Sequence, residues 1–376
     1  MRDKPGMGQR RPRVLYLING FKRGGAEKGV LHLLQHGAFA GCDVRLLSII
    51  ADEQGYVEEL RSHGATVAHL FSSKSMSIWQ WILAIPGFWW AMVRMKPDLV
   101  ILSLPQANIA GRIATLFCPR LTIASFEHNT HLAKRIYESL FRWTSRRVDW
   151  LLADCEATAQ AVGSRLYARQ PERMIALPLT SFEGAAIRTP PTRDEARPFT
   201  IVSAARFTSV KNQAAMIEAV RILREQDRAV QLHLYGEGPL LDRCKQLASH
   251  HGLNDRVLFP GFNARWMKAP ADIFLVTSEH EGLCIAALEA MSEGMAVVAT
   301  RVGGLKDYGI PAKMRFLDRG DPTEIADAIV ALMDNPSHLA TMRQASLATI
   351  QHFFSASNVE QRYAAFARDI ASLARR

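Results

Sequence analysis

Short apolar runs alternate with stretches of helical length along most of the chain. The runs Arg13–Ile18, Asp43–Ile49, Thr66–Leu70, Asp98–Ser103, Leu121–Phe126, Asp149–Ala153 and Arg173–Leu177 are expected as strands. A β-α-β series of this kind predicts a mostly parallel sheet. The segment Thr189 to Pro198 interrupts it, being rich in proline and charge and poor in apolar residues. The pattern then resumes with runs at Phe199–Ala204, Val230–Tyr235, Val257–Phe259, Asp272–Val276 and Met295–Thr300. The last third is mostly helical, with a final helix expected over Ser355–Ala374. The expected organisation is a Rossmann-like domain over 1–187, a linker over 188–198, a second Rossmann-like domain over 199–354 and a C-terminal helix over 355–376.

One segment departs from the amphipathic norm. Ile78 to Met95 carries Trp79, Trp81, Phe88, Trp89 and Trp90, with Pro86 in the middle. It approaches the ~20 apolar residues that span a bilayer. Its place between two sheet strands predicts instead a helix kinked at Pro86, with one face on the sheet. Two readings stay open for the aromatic excess: a bulky core helix, or a helix that dips into a membrane interface.

Composition changes the picture in two ways. The five cysteines, at 42, 118, 155, 244 and 284, are scattered and contain no C-x-x-C. That pattern argues against a zinc cluster or disulfide framework and fits a reducing cytosol. Met1 to Arg13 is polar and basic, without the apolar core of a signal peptide. Charge is uneven. Of the net +10, residues 1–187 carry +8 (23 Lys/Arg against 15 Asp/Glu) and residues 188–376 carry +2 (23 against 21). A basic first half implies an anionic partner. No nucleic-acid-binding motif is present, so a membrane face or phosphorylated acceptor is favoured. Lys134, Arg135, Arg142, Arg146 and Arg147 among Tyr137, Leu140, Phe141 and Trp143 predict a basic amphipathic helix, open to two compatible readings: one that lies on an anionic membrane face or holds a lipid diphosphate, and a surface helix with one buried stripe.

Candidate chemistry sits at strand ends. Glu281 and Glu289 enclose seven residues, and Val302-Gly303-Gly304 follow a further strand. A helix is expected from Leu283, which places Glu289 two turns in and separates the carboxylates by up to ~12 Å of rise. A retaining hydrolase pair stands about 5 Å apart. The wider spacing suits two carboxylates gripping separate hydroxylated parts of one long ligand. The helix-start N–H groups of Gly282, Leu283 and Cys284 lie between them for an anion. Gly24-Gly25-Ala26-Glu27 after the first strand lets backbone approach a ligand closely, and it is not the dinucleotide fingerprint. Arg206 and Lys211 follow the first strand of the second domain. His128 and His131 follow Phe126, and Gly236-Glu237-Gly238 follows Tyr235.

Taken together, these motifs resemble the donor site of retaining glycosyltransferases of family 4, strongest from Phe199 to Asp307. The resemblance implies the GT-B fold: two Rossmann-like, doubly wound α/β domains facing across a cleft, the first on the acceptor side, with the last helix crossing back to the first domain. It implies transfer of a hexose or N-acetylhexosamine from a nucleoside-diphosphate sugar, UDP by family frequency. Arg206 and Lys211 would hold the diphosphate with the N–H groups of Gly282 to Cys284. Glu289 would take the ribose hydroxyls and Glu281 the sugar hydroxyls. His128, with His131 in reserve, would touch the sugar from the first domain. Gly24 and Gly25 would border the phosphates and acceptor, and Gly236 would complete the donor site. No Asp-x-Asp is present, so neither a divalent metal nor another cofactor is expected. The basic, aromatic first half points to a lipid-linked or cell-envelope glycan acceptor, such as lipopolysaccharide, and to peripheral placement on the cytoplasmic face of an anionic membrane. A GT-B nucleotide-sugar epimerase and a non-catalytic nucleotide-sugar-binding scaffold are the alternatives. Leu283-Cys284 stand where the family often has an aromatic residue then proline, Asp307 where Glu is usual, Leu177-Pro178 where Asn-Pro is commoner, and Cys155 where Ser is frequent. These departures bear on the donor sugar.

Overall fold

The fold is that of a computed structural model, which describes residues 10–22, 25–51, 55–73, 75–118, 120–128, 135–183, 196–308 and 314–374. The chain forms two compact units, 1–180 with 357–376, and 181–356.

The first unit carries β1 (Arg13–Ile18), α1 (Gly25–Gln35), β2 (Asp43–Ile50), α2 (Val57–Ser62), β3 (Thr66–Phe71), α3 (Ile78–Met95), β4 (Leu99–Ser103), α4 (Pro105–Thr115), β5 (Thr122–Glu127), α5 (Arg135–Thr144), β6 (Trp150–Ala153), α6 (Glu156–Leu166) and β7 (Arg173–Ala176). Its strands form one parallel sheet in the order β3-β2-β1-β4-β5-β6-β7. Side chains alternate across β1 as strand geometry requires. Val14, Tyr16 and Ile18 enter one core with α1, while Leu15 and Leu17 enter another with α3 and α4. Both faces are covered, which is why the strands read as continuous apolar runs rather than alternating ones.

The second unit carries β8 (Phe199–Ala204), α7 (Gln213–Glu225), β9 (Val230–Tyr235), α8 (Leu241–His250), β10 (Val257–Gly261), β11 (Ile273–Val276), α9 (Ile285–Ser292), β12 (Ala296–Thr300), α10 (Leu305–Tyr308), β13 (Arg315–Leu317), α11 (Pro322–Met333) and α12 (Pro336–Phe354). Its parallel sheet has the order β10-β9-β8-β11-β12-β13. The last helix, α13 (Ala356–Leu373), adds Val359, Tyr363, Phe366 and Ile370 to the core of the first unit. The Tyr363 hydroxyl donates to the Pro178 carbonyl there.

The strands lie within a residue or two of the expected runs. The three-residue β13 was not foreseen, and β10 runs on to Gly261. The α9 helix begins at Ile285, not at Leu283. The α3 helix continues through Pro86. Its N-terminus closes with a capping box, in which the Gln80 N–H donates to Ser77 Oγ at 3.2 Å and the Ser77 N–H to Gln80 Oε1 at 2.8 Å. Among the described residues no helix is long and apolar enough to cross a membrane.

Candidate active site

The order of the second sheet reverses between β8 and β11. Loops leaving the carboxyl ends of such strands diverge, and the crevice they leave is where doubly wound sheets bind ligands. A cavity of about 310 Å³ lies there, lined among others by Arg206, Lys211, Ser278, Glu281, Cys284 and Ile285. Lys211 Nζ donates to Glu281 Oε1 at 2.6 Å, and Ser278 Oγ donates to the same oxygen at 2.6 Å. The loop carrying Lys211 is stitched to the end of β11. Thr277 Oγ1 donates to the Lys211 carbonyl at 3.0 Å, and the Glu279 N–H donates to the Val210 carbonyl at 2.9 Å. Arg206 is exposed at the cavity edge, and its own carbonyl accepts from Gln213 Nε2 at 3.2 Å. The cavity thus holds two cations and one carboxylate, with Lys211 neutralised by Glu281 in the resting arrangement.

The α9 helix starts in this cavity. Cys284 precedes it in the left-handed region (φ 59°, ψ 60°), which ends the loop and delays the helix to Ile285. Glu289 is therefore the fifth helical residue, about 6 Å along the axis rather than the expected two turns. It is half-buried. Burial raises the Cys284 thiol pKa, and the Glu281 carboxylate raises it further. The thiol stays protonated and is no nucleophile. Gly303 (φ 50°) sits against this turn, and a Cβ there would run into the carbonyl oxygens of Gly282 and Glu281. The Gly304 N–H donates to the Gly282 carbonyl at 2.7 Å, and Tyr308 Oη donates to the Leu283 carbonyl at 2.8 Å. Gly236 (φ 126°) lies one strand away, and a Cβ there would meet the Ala205 carbonyl. Its observed part is to let β9 approach the segment that bears Arg206.

The remaining candidates belong to the first unit. Gly25 opens α1 and is exposed, while Gly24 and His131 lie outside the described residues. His128 follows β5. Its Nε2 is 2.9 Å from Ser103 Oγ, its ring stacks on Phe126 at 4.6 Å, and its buried Nδ1 has no partner among the described residues. Burial lowers its pKa from 6.5 to about 4, so the ring is neutral at pH 7.

Several supporting groups escaped the sequence reading. Ser278 and Thr277 carried a weak signal, as hydroxyl residues at the end of a buried strand. Arg112 carried none. It is fully buried on α4 and donates to Glu127 Oε1 at 3.3 Å, Ser125 Oγ at 2.7 Å, Asn108 Oδ1 at 2.8 Å and Tyr167 Oη at 2.8 Å. This network anchors the end of β5, one residue before His128.

Family comparison accounts for both units. A profile described as glycosyl transferases group 1 matches residues 189–348, and one described as glycosyl transferase 4-like domain matches residues 24–180. Each unit thus matches a glycosyltransferase domain, and the chain has the GT-B fold and is related to the glycosyltransferases that share it. Crystalline Anabaena HepE in complex with UDP-glucose shares this GT-B fold at a TM-score of 0.75 with 18% identity, over 95% of this chain and 99% of that one. WcaL of Escherichia coli, a provisional colanic acid biosynthesis glycosyltransferase, is 29% identical over 66% of this chain and 62% of its own. The lipopolysaccharide core biosynthesis glycosyltransferase LpsD of Rhizobium meliloti is 30% identical over 44% of this chain and 48% of its own. The GT-B chain therefore spans about half to three fifths of the length of these curated relatives.

Proposed function

We propose that this GT-B enzyme transfers a hexose or N-acetylhexosamine from a UDP-sugar to a hydroxyl of a lipid-linked or cell-envelope glycan, with retention of anomeric configuration, at the cytoplasmic face of the membrane. One observation carries the reading: Arg206, Lys211, Glu281 and the start of α9 converge on one cavity at the switch point of the second sheet. The names of the relatives support the donor and the acceptor class, through UDP-glucose in HepE and envelope polysaccharides in WcaL and LpsD.

In this reading the diphosphate lies on Arg206, Lys211 and the α9 N-terminus. Fixed cations and N–H dipoles aimed at a leaving group that gains charge stabilise the transition state. Lys211 shares its charge between Glu281 and the phosphate, so the carboxylate also fixes where the ammonium stands. Glu281 takes sugar hydroxyls and Glu289 the ribose hydroxyls. The bond from the anomeric carbon to the phosphate oxygen breaks as the acceptor oxygen bonds the same face. The acceptor proton passes to the departing phosphate.

The test is to incubate the purified protein with UDP-glucose, UDP-galactose or UDP-N-acetylglucosamine and a bacterial lipid-linked glycan fraction. The expected result is sugar in the lipid fraction, in the donor's own anomeric configuration. Consumption of the UDP-sugar to an epimer without acceptor would replace this reading with an epimerase. Binding without consumption would leave a scaffold.

A further inference from the structure

The α3 helix is apolar on two opposite sides. Ala84, Phe88, Met92 and Met95 pack on the sheet. Trp79, Ile82, Leu83, Trp90 and Val93 point outward, 71%, 43%, 55%, 59% and 48% exposed. These five fall on one stripe at helical spacing, and α3 contains no acidic residue. Beside the stripe, between α3 and β3, runs a groove of about 300 Å³ floored by Leu47, Leu70, Ala91 and Met95. The β3 strand is the edge of its sheet, so the groove opens at the rim of the unit. Arg45 and Arg94 stand at its mouth with Trp90. The Arg94 guanidinium lies over the Trp90 ring at 5.4 Å, and Arg45 approaches Asp43 no closer than 3.7 Å, with both side chains half-exposed.

We propose that this groove takes one acyl chain of an anionic glycerophospholipid from a bilayer, with the lipid phosphate on Arg45 and Arg94 and the outer face of α3 lying in the interface. The charge pattern selects the occupant. Cations level with a tryptophan, beside an acid-free apolar stripe, match a surface that is negative at the headgroups and apolar beneath them. A second copy docked about a two-fold axis would set the same arginines against each other. At 18 residues, α3 lays about 27 Å of helix along the membrane plane. The proposal deepens the membrane part of the proposed function and is independent of the donor site.

The experiment uses the whole protein and vesicles of phosphatidylcholine alone, or of phosphatidylcholine and phosphatidylglycerol in equal parts, at low salt. Expected are sedimentation with the mixed vesicles only, and tryptophan quenching by brominated acyl chains that shrinks in Trp90→Phe. The exposed double variant Arg45→Gln/Arg94→Gln should bind about 30-fold more weakly, at the usual contribution of a cation near an anionic surface. Ala91→Phe, which fills the groove, should reduce the quenching and leave the salt dependence intact. Equal binding to neutral vesicles, unchanged binding by the double variant, or binding without Trp90-dependent quenching would each overturn the proposal. Titration of the same variants with UDP reads the second unit separately, so a failure here is distinct from a failure of the donor site.

Discussion

Gly303 has two reasons to be glycine, a positive φ and two carbonyl oxygens where its Cβ would stand. Replacement by alanine must move the Glu281–Gly282 backbone. Left-handed backbone costs a side-chain-bearing residue roughly 1–2 kcal/mol before any clash. Gly303→Ala should therefore lower urea stability by at least about 1 kcal/mol, with UDP affinity falling at least tenfold because Glu281 and the α9 start shift together. His128 gives a pH signature. Its folded-state pKa, about 4, lies below the free value of 6.5, so the unfolded chain takes up the proton first. The stability this contributes is complete above pH 6.5 and is lost as pH falls toward 4. The melting temperature should drop across that window, and less steeply in His128→Gln. His32, lowered to about 3 by burial and by its neighbours His36 and Lys28, gives a slope that persists in the variant. His128 stood out in the sequence because it follows an apolar run, at the carboxyl end of the inner strand β5. Arg112 was not. Ile109-Ala110-Gly111-Arg112 reads as a helix with a surface cation, and its partners Ser125, Glu127 and Tyr167 lie 13, 15 and 55 residues away.

The buried network couples elements rather than residues. Arg112 of α4 holds Glu127 of β5 and Tyr167 after α6, and its guanidinium lies over the Phe141 ring of α5 at 4.2 Å. Removing one partner leaves a charge in the interior, at a cost of about 3–5 kcal/mol. Glu127→Ala should show that loss in urea denaturation. An apolar replacement of both partners should cost much less. Strands were legible at this scale because parallel strands buried on both faces are continuous apolar runs. The α9 boundary was not, because Leu283 is as apolar as the helix it precedes. Only the left-handed Cys284 ends the loop, and sequence gives cysteine no such preference. The α3 helix left its two readings open because it is apolar on both faces, and the structure finds both a core face and an exposed one.

At the scale of the molecule, the chain leaves the first unit near Thr180 and returns at Ser357. In the second unit the outgoing and returning segments pair, with the Phe182 N–H donating to the Phe354 carbonyl at 2.9 Å. The returning helix α13 buries Val359, Tyr363, Phe366 and Ile370 in the first unit's core. At roughly 1.5–3 kcal/mol for each large buried side chain, the four contribute on the order of 6–12 kcal/mol, comparable to the whole stability of a domain. Deleting 357–376 should therefore leave a chain whose first unit melts or aggregates on expression, seen by solubility and circular dichroism. The Rossmann-like pattern was legible across the chain because its strands are continuous apolar runs, and Arg206, Lys211 and Glu281 stood out as polar residues in the segments that follow such runs. The groove beside α3 was not, because it needs the edge position of β3.

The central claim is that the switch point of the second sheet binds a nucleoside diphosphate through Lys211 and Glu289. The most direct measurement is calorimetric titration with UDP, GDP and ADP of the intact protein, Lys211→Ala and Glu289→Ala. The account predicts saturable binding of UDP over the other two, weakened about tenfold or more in each variant, as loss of a charge-assisted contact of about 1.5–3 kcal/mol requires. Absence of binding by all three nucleotides, or UDP binding that neither substitution changes, would contradict it.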